Sequence, residues 1–130
     1  MSCTGNQGGK WHETVVVNGQ TVPTESLPWN PHPKFAGVSL KHLVTGKDTG
    51  GRLSLHYVRI DPGCAIGDHT HAGMVEIHDV IAGSGICTLE GSVIPYAPGI
   101  ISVMPADRVH RVEAGDGSLL LLATFSPPLV

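Results

Sequence analysis

From Gly37 onward, apolar and polar positions alternate in short runs separated by turn residues. Val38 to Val44 reads as one strand. Leu53 to Ile60 reads as another, alternating at first and then more evenly apolar. Asp61-Pro62-Gly63 ends that run with turn chemistry. Glu76 to Ala82, Gly85 to Glu90, Ile100 to Met104, His110 to Glu113 and Ser118 to Phe125 continue the pattern, most of them parted by Gly-containing breaks. No segment carries a 3.6-residue apolar stripe of helical length. Short, evenly spaced strands with turn signals predict an all-β sandwich or barrel.

The chain before Gly37 has a different texture. Met1 to Lys10 is polar and reads as a loose terminus. Asn18-Gly19 stands between two β-branched runs within Thr14 to Val22. That pair favours a two-residue hairpin turn, because both turn positions need positive φ. Pro23, Pro28, Pro31 and Pro33 then mark an irregular arm, laid over the barrel or across a partner subunit, with Trp29 as a packing anchor. The expected organisation is one domain overall: an arm over 1–35 with a hairpin and a Pro-rich segment, and a barrel over 36–130. No internal repeat or long linker interrupts it.

Composition supports this picture. Within 130 residues, 41% are apolar and 15% charged, which argues against disorder. Seventeen glycines and ten prolines suit many tight turns. Net charge is −3 and no Lys/Arg block occurs, so no nucleic-acid partner is expected. The first ten residues lack an apolar signal core, and Leu119 to Ala123 is too short to span a bilayer. A soluble, cytoplasmic protein with no membrane partner is the expectation. The three cysteines, Cys3, Cys64 and Cys87, form no C-x-x-C, so free thiols are expected over a disulfide framework or a thiolate zinc knot; a Cys64–Cys87 pair stays open.

Histidine is the outlier, with eight copies. His69 and His71 are two apart, which on extended backbone puts both rings on one face. Glu76 follows, and His110 comes later, after Pro105. Three imidazoles and one carboxylate suit a borderline divalent cation and leave coordination positions open. Taken singly, each has a plain alternative: a solvated H-x-H, a surface acid, a turn-capping histidine.

The segment Gly63, His69, His71, Glu76, Gly83 resembles the first cupin motif, G-x5-H-x-H-x3-4-E-x6-G, at every fixed place. Gly99, Pro105 and His110 resemble the second, G-x5-P-x-G-x2-H-x3-N, with Asp107 in place of Gly and Ala114 in place of Asn. If the Gly position needs left-handed backbone, Asp is among the few residues that adopt it readily. The chain is thus similar to small single-domain cupins of the RmlC-like, cupin-2 type. The resemblance implies a double-stranded β-helix, or jelly-roll, barrel and one divalent transition metal (iron, manganese, nickel, zinc or copper) held by His69, His71, Glu76 and His110. It also implies a homodimer, with the arm or hairpin exchanged.

Around this set, His78 lies two places past Glu76 and should face the same way, as a proton carrier or as a hydrogen-bond partner of Glu76. Tyr57 is a second candidate catalytic group. It shares a face with Leu53 and Leu55, and His56 shares one with Val58 and Ile60, so the pattern leaves the pocket side open. Met104 is expected in the core, Arg108 on a solvated turn, and His12, His32 and His42 in surface or structural roles. Two functions remain. One is a metalloenzyme acting on a small organic molecule, of dioxygenase, lyase or isomerase type. The other is a non-catalytic ligand-binding or metal-sensing module, for which no attached DNA-binding segment is read.

Overall fold

The structure is a computed structural model and describes residues 12–130. The expectations for Met1 to Lys10 and Cys3 fall outside the described residues. Strands β1 (Thr14–Val17) and β2 (Gln20–Pro23) form the hairpin expected at Asn18-Gly19. Both turn residues take positive φ, 49° and 82°.

The remaining strands are β3 (Asn30–Pro31), β4 (Val38–Val44), β5 (Ser54–Ile60), β6 (Ala65–His69) and β7 (Val75–Ala82). After them come β8 (Gly85–Leu89), β9 (Ser92–Tyr96), β10 (Ile101–Met104), β11 (His110–Ala114) and β12 (Leu119–Ser126). They form a six-stranded sheet, β10-β7-β12-β5-β4-β3, and a four-stranded sheet, β6-β11-β8-β9. All pairings are antiparallel. The order is that of a jelly-roll barrel, as the motif resemblance implied, and falls within the all-β sandwich or barrel that the strand pattern predicted. Strands β3, β6 and β9 were not read from the sequence.

The two inner faces enclose the core. Val58, Ile60, Val80, Val112, Leu121 and Phe125 are among its buried members. Each such side chain contributes roughly 1.5–3 kcal/mol through removal from water. Met104 is 1% exposed in this core, beside the Cys87 thiol. Cys64 and Cys87 are both free. Gly83 of the first motif is needed for space: its φ is 82°, and a Cβ there would strike the Ser118 backbone.

A second cluster lies on the outer face of the larger sheet, where Leu43, Tyr57 and Leu120 pack under Leu27 and Trp29 of the arm. Trp29 is an anchor, with the Lys41 ammonium 5.0 Å and the Arg59 guanidinium 4.2 Å from its ring centroid. Lys41 also donates to the Thr24 carbonyl at 2.8 Å. Within the chain, the Pro-rich arm lies over its own barrel, and its Asn30–Pro31 pairs with β4.

Candidate metal centre

Four elements deliver the cluster expected from the motifs. His69 ends β6, His71 follows in the next loop, Glu76 starts β7 and His110 starts β11, paired in register with His69. One ligand atom from each lies within 4.8 Å of every other. His71 Nε2 and His110 Nε2 stand 3.5 and 3.3 Å from Glu76 Oε1.

The tautomers suit a cation. His69 Nδ1–H donates to the Gly67 carbonyl at 2.7 Å, so its Nε2 carries a lone pair. His110 Nδ1 faces the Arg108 carbonyl at 3.4 Å, a longer contact of the same sense. Glu76 Oε1 and His110 Nε2 are buried with no hydrogen-bond partner. Each such orphan costs about 1–3 kcal/mol. Here lone pairs face lone pairs, and a divalent ion satisfies all of them at once. The donor set therefore fits a metal.

The other carboxylate oxygen is anchored. His78 Nε2–H donates to Glu76 Oε2 at 2.6 Å, and His78 Nδ1 accepts from the Tyr96 hydroxyl at 2.7 Å. Burial raises the Tyr96 hydroxyl well above its usual range, which keeps it a donor. Burial alone would raise the Glu76 carboxyl too, but the His78 N–H on Oε2 opposes it and helps hold the group ionised. His69 and His71 are lowered as well, chiefly by burial, which in a histidine favours the neutral, lone-pair form.

A cavity of about 320 Å³ opens on this cluster. His69, His71 and Glu76 line it, and Leu40, Val58 and Phe125 form part of an apolar wall. His78 does not line it; it sits behind Glu76, 2% exposed, with both ring nitrogens bonded. The structure therefore places His78 as a support for Glu76 and not as a group facing the cavity.

Tyr57 is not brought to the site. Its face of β5 is the outer one, and its hydroxyl lies 2.6 Å from both the backbone N and Nδ1 of His12. This placement sets Tyr57 apart from the cluster and from the residues lining the cavity. The inner face carries His56, Val58 and Ile60 instead. Arg108 is on an exposed turn, paired with Glu90 at 2.7 Å.

Two cavity residues were missed. His32 of the arm and His42 of β4 both line the cavity. His42 shares the inward face of β4 with Val38 and Leu40, and this alternation was the available signal. His42 Nδ1 is 2.8 Å from His56 Nδ1, and His56 Nε2 is 2.7 Å from Ser54 Oγ.

Strand order, motif residues and cluster together define a jelly roll whose four-residue cluster could hold a metal ion. A family model described as a cupin domain matches residues 56–125, and the chain belongs to that family. It is similar to the oxalate-binding protein of Thermotoga maritima, 24% identical over 113 residues, covering 85% of this chain and 93% of that one. Among solved structures, it resembles a predicted oxalate decarboxylase of Thermotoga maritima, with a TM-score of 0.76 at 21% identity over 83% of this chain and 99% of that one. It also resembles KdgF from Halomonas sp., with a TM-score of 0.69 at 24% identity over 79% and 88% of the two chains. At such identities the structural likenesses bear on the fold alone.

Proposed function

We propose that this cupin is a metal-dependent enzyme acting on a small organic acid, with one divalent ion held by His69, His71, Glu76 and His110. The observation that carries the reading is the buried, unpartnered pair Glu76 Oε1 and His110 Nε2, which converges with two further imidazoles beside a cavity. The acid class is supported by the relative named as an oxalate-binding protein.

A bound ion would supply Lewis-acid polarisation of a ligand oxygen. The chain's own residues do the rest. Three neutral rings and one carboxylate offer lone pairs. His78 fixes Glu76 Oε2 so that Oε1 turns toward the rings. Leu40, Val58 and Phe125 give the cavity an apolar wall beside the cluster. The reaction is of dioxygenase, lyase or isomerase type.

The test is anaerobic purification, elemental analysis and an oxygen-uptake screen with oxalate. Stoichiometric metal with turnover is the expected result, and iron with oxygen consumption selects the dioxygenase. A protein with no metal after incubation with iron or manganese sinks the reading. A second reading, a non-catalytic binding module, has one observation in its favour: His78 is sealed from the cavity. Metal and tight oxalate binding without any turnover would select it.

A homodimer and a cytoplasmic location belong to the same proposal, checked by sedimentation velocity and cell fractionation. Among the described residues, no helix is long and apolar enough to cross a membrane.

A further inference from the structure

The hydrogen bonds around His32 and His42 determine where their protons sit. His32 Nδ1 accepts from the backbone N–H groups of Lys34 at 3.0 Å and Phe35 at 3.2 Å. A nitrogen that accepts carries no hydrogen, so the neutral ring holds its proton on Nε2.

His42 is fixed through a chain. Leu129 N–H donates to Ser54 Oγ at 2.8 Å. Ser54 is fully buried, so its hydroxyl hydrogen needs an acceptor, and His56 Nε2 stands 2.7 Å away. His56 then carries its proton on Nδ1 and donates to His42 Nδ1 at 2.8 Å. His42 is left with an N–H at Nε2, the one ring nitrogen still available to a ligand.

The two sides of the cavity therefore differ in sense. The metal side carries lone pairs, while the two rings lining the side formed by the arm and β4 carry their hydrogen on the nitrogen left free. We infer that His32 and His42 form a recognition site in which their Nε2–H groups bind the distal oxygens of a small dicarboxylate or oxo-acid whose other end meets the metal centre. This rests on the proposed metal-dependent function. No Lys or Arg lines the cavity, so neutral N–H donors take the place of cationic clamps. Burial lowers both rings' affinity for a second proton, with His71 and Lys34 adding to the effect at His32. Asn30, another polar lining residue, uses one of its two amide N–H groups toward the Leu40 carbonyl at 3.2 Å. A volume of about 320 Å³ lies at the lower end of the range for small-molecule sites and has room for a small acid.

The experiment uses manganese-loaded protein and two probes, oxalate and acetate, by calorimetry. Metal content is measured first, so failure of the metal centre registers before any ligand is added. His42→Leu and His32→Leu should keep the metal and bind oxalate about 10- to 100-fold more weakly, with acetate nearly unchanged. His42→Gln, which retains an N–H near the Nε2 position, should recover part of the loss. Unchanged oxalate affinity in both leucine variants overturns the inference. A separate readout needs no metal. Imidazole ¹⁵N spectra of the chelator-treated protein should show Nε2–H tautomers for His32 and His42 and Nδ1–H for His69. A His42 proton found on Nδ1 overturns the inference as well.

Discussion

Asp107 Oδ1 accepts a hydrogen bond from the Gly73 backbone at 2.9 Å, tying the turn before His110 to the loop after His71. Asp107 N–H adds a longer bond to the His71 carbonyl, at 3.3 Å. The residue has φ of 65°, so the departure from the family Gly keeps the left-handed backbone and gains a cross-link between two ligand-bearing segments. Asp107→Ala loses the side-chain bond and leaves an alanine in strained backbone. It should cost about 1–2 kcal/mol in urea unfolding. Metal should also dissociate faster, because the His71 loop is less constrained. Asp107→Gly should relieve the strain and lose only the tie. Equal stability of the alanine variant and wild type would contradict this account.

Glu76 separates two kinds of histidine. His71 offers a lone pair beside Oε1, whereas His78 spends its Nε2 proton on Oε2. His71→Ala should remove most of the bound metal, as read by elemental analysis after gel filtration. His78→Ala should retain metal but bind it about 10- to 100-fold more weakly, since it lets the carboxylate turn. If the two variants lose metal equally, His78 is itself a ligand.

Tyr57 shows where the sequence stopped being informative. Alternation tells which residues share a face but not which face is inside. In β5 both faces are buried, His56, Val58 and Ile60 against the core and Tyr57 under the arm. The arm that covers the outer face has no periodicity of its own, so its contribution was invisible. The same gap hid His32, whose place on the cavity wall follows β3 pairing with β4, whereas His42 lay within reach of the alternation along β4. By contrast, the hairpin at Asn18-Gly19 and the approach of His69, His71, Glu76 and His110 were legible, because local backbone chemistry and motif spacing encode them directly.

Tyr57→Phe follows from that placement. It removes the hydroxyl that meets His12 and leaves the ring packed with Trp29. The expected cost is roughly 0.5–1.5 kcal/mol of stability. Metal content and oxalate affinity should not change. A loss of turnover with unaltered stability would return Tyr57 to the candidate catalytic groups.

His56 gives a pH dependence with a definite sign. Burial, assisted by neighbouring His42 and opposed by Glu76, lowers it from its ordinary 6.5 to about 4. The groups packed around it are His42, Ser54 and the Phe125 ring. Below pH 6.5 the unfolded chain takes up a proton that the folded chain refuses until about pH 4. Stability is therefore fully present above 6.5 and is lost as pH falls toward 4. The limiting slope for one proton is about 1.4 kcal/mol per pH unit. Half-buried histidines, His42, His69 and His71 among them, act in the same sense, so the total slope does not isolate His56. His56→Gln does isolate it, because Gln cannot titrate yet still offers polar atoms to His42 and Ser54. With chelator present, urea unfolding of the variant should show a shallower loss of stability through this window than wild type. Parallel curves for the two proteins would mean that His56 takes up its proton in the folded state as readily as in the unfolded chain, and Ser54 Oγ would then accept from His56 Nε2.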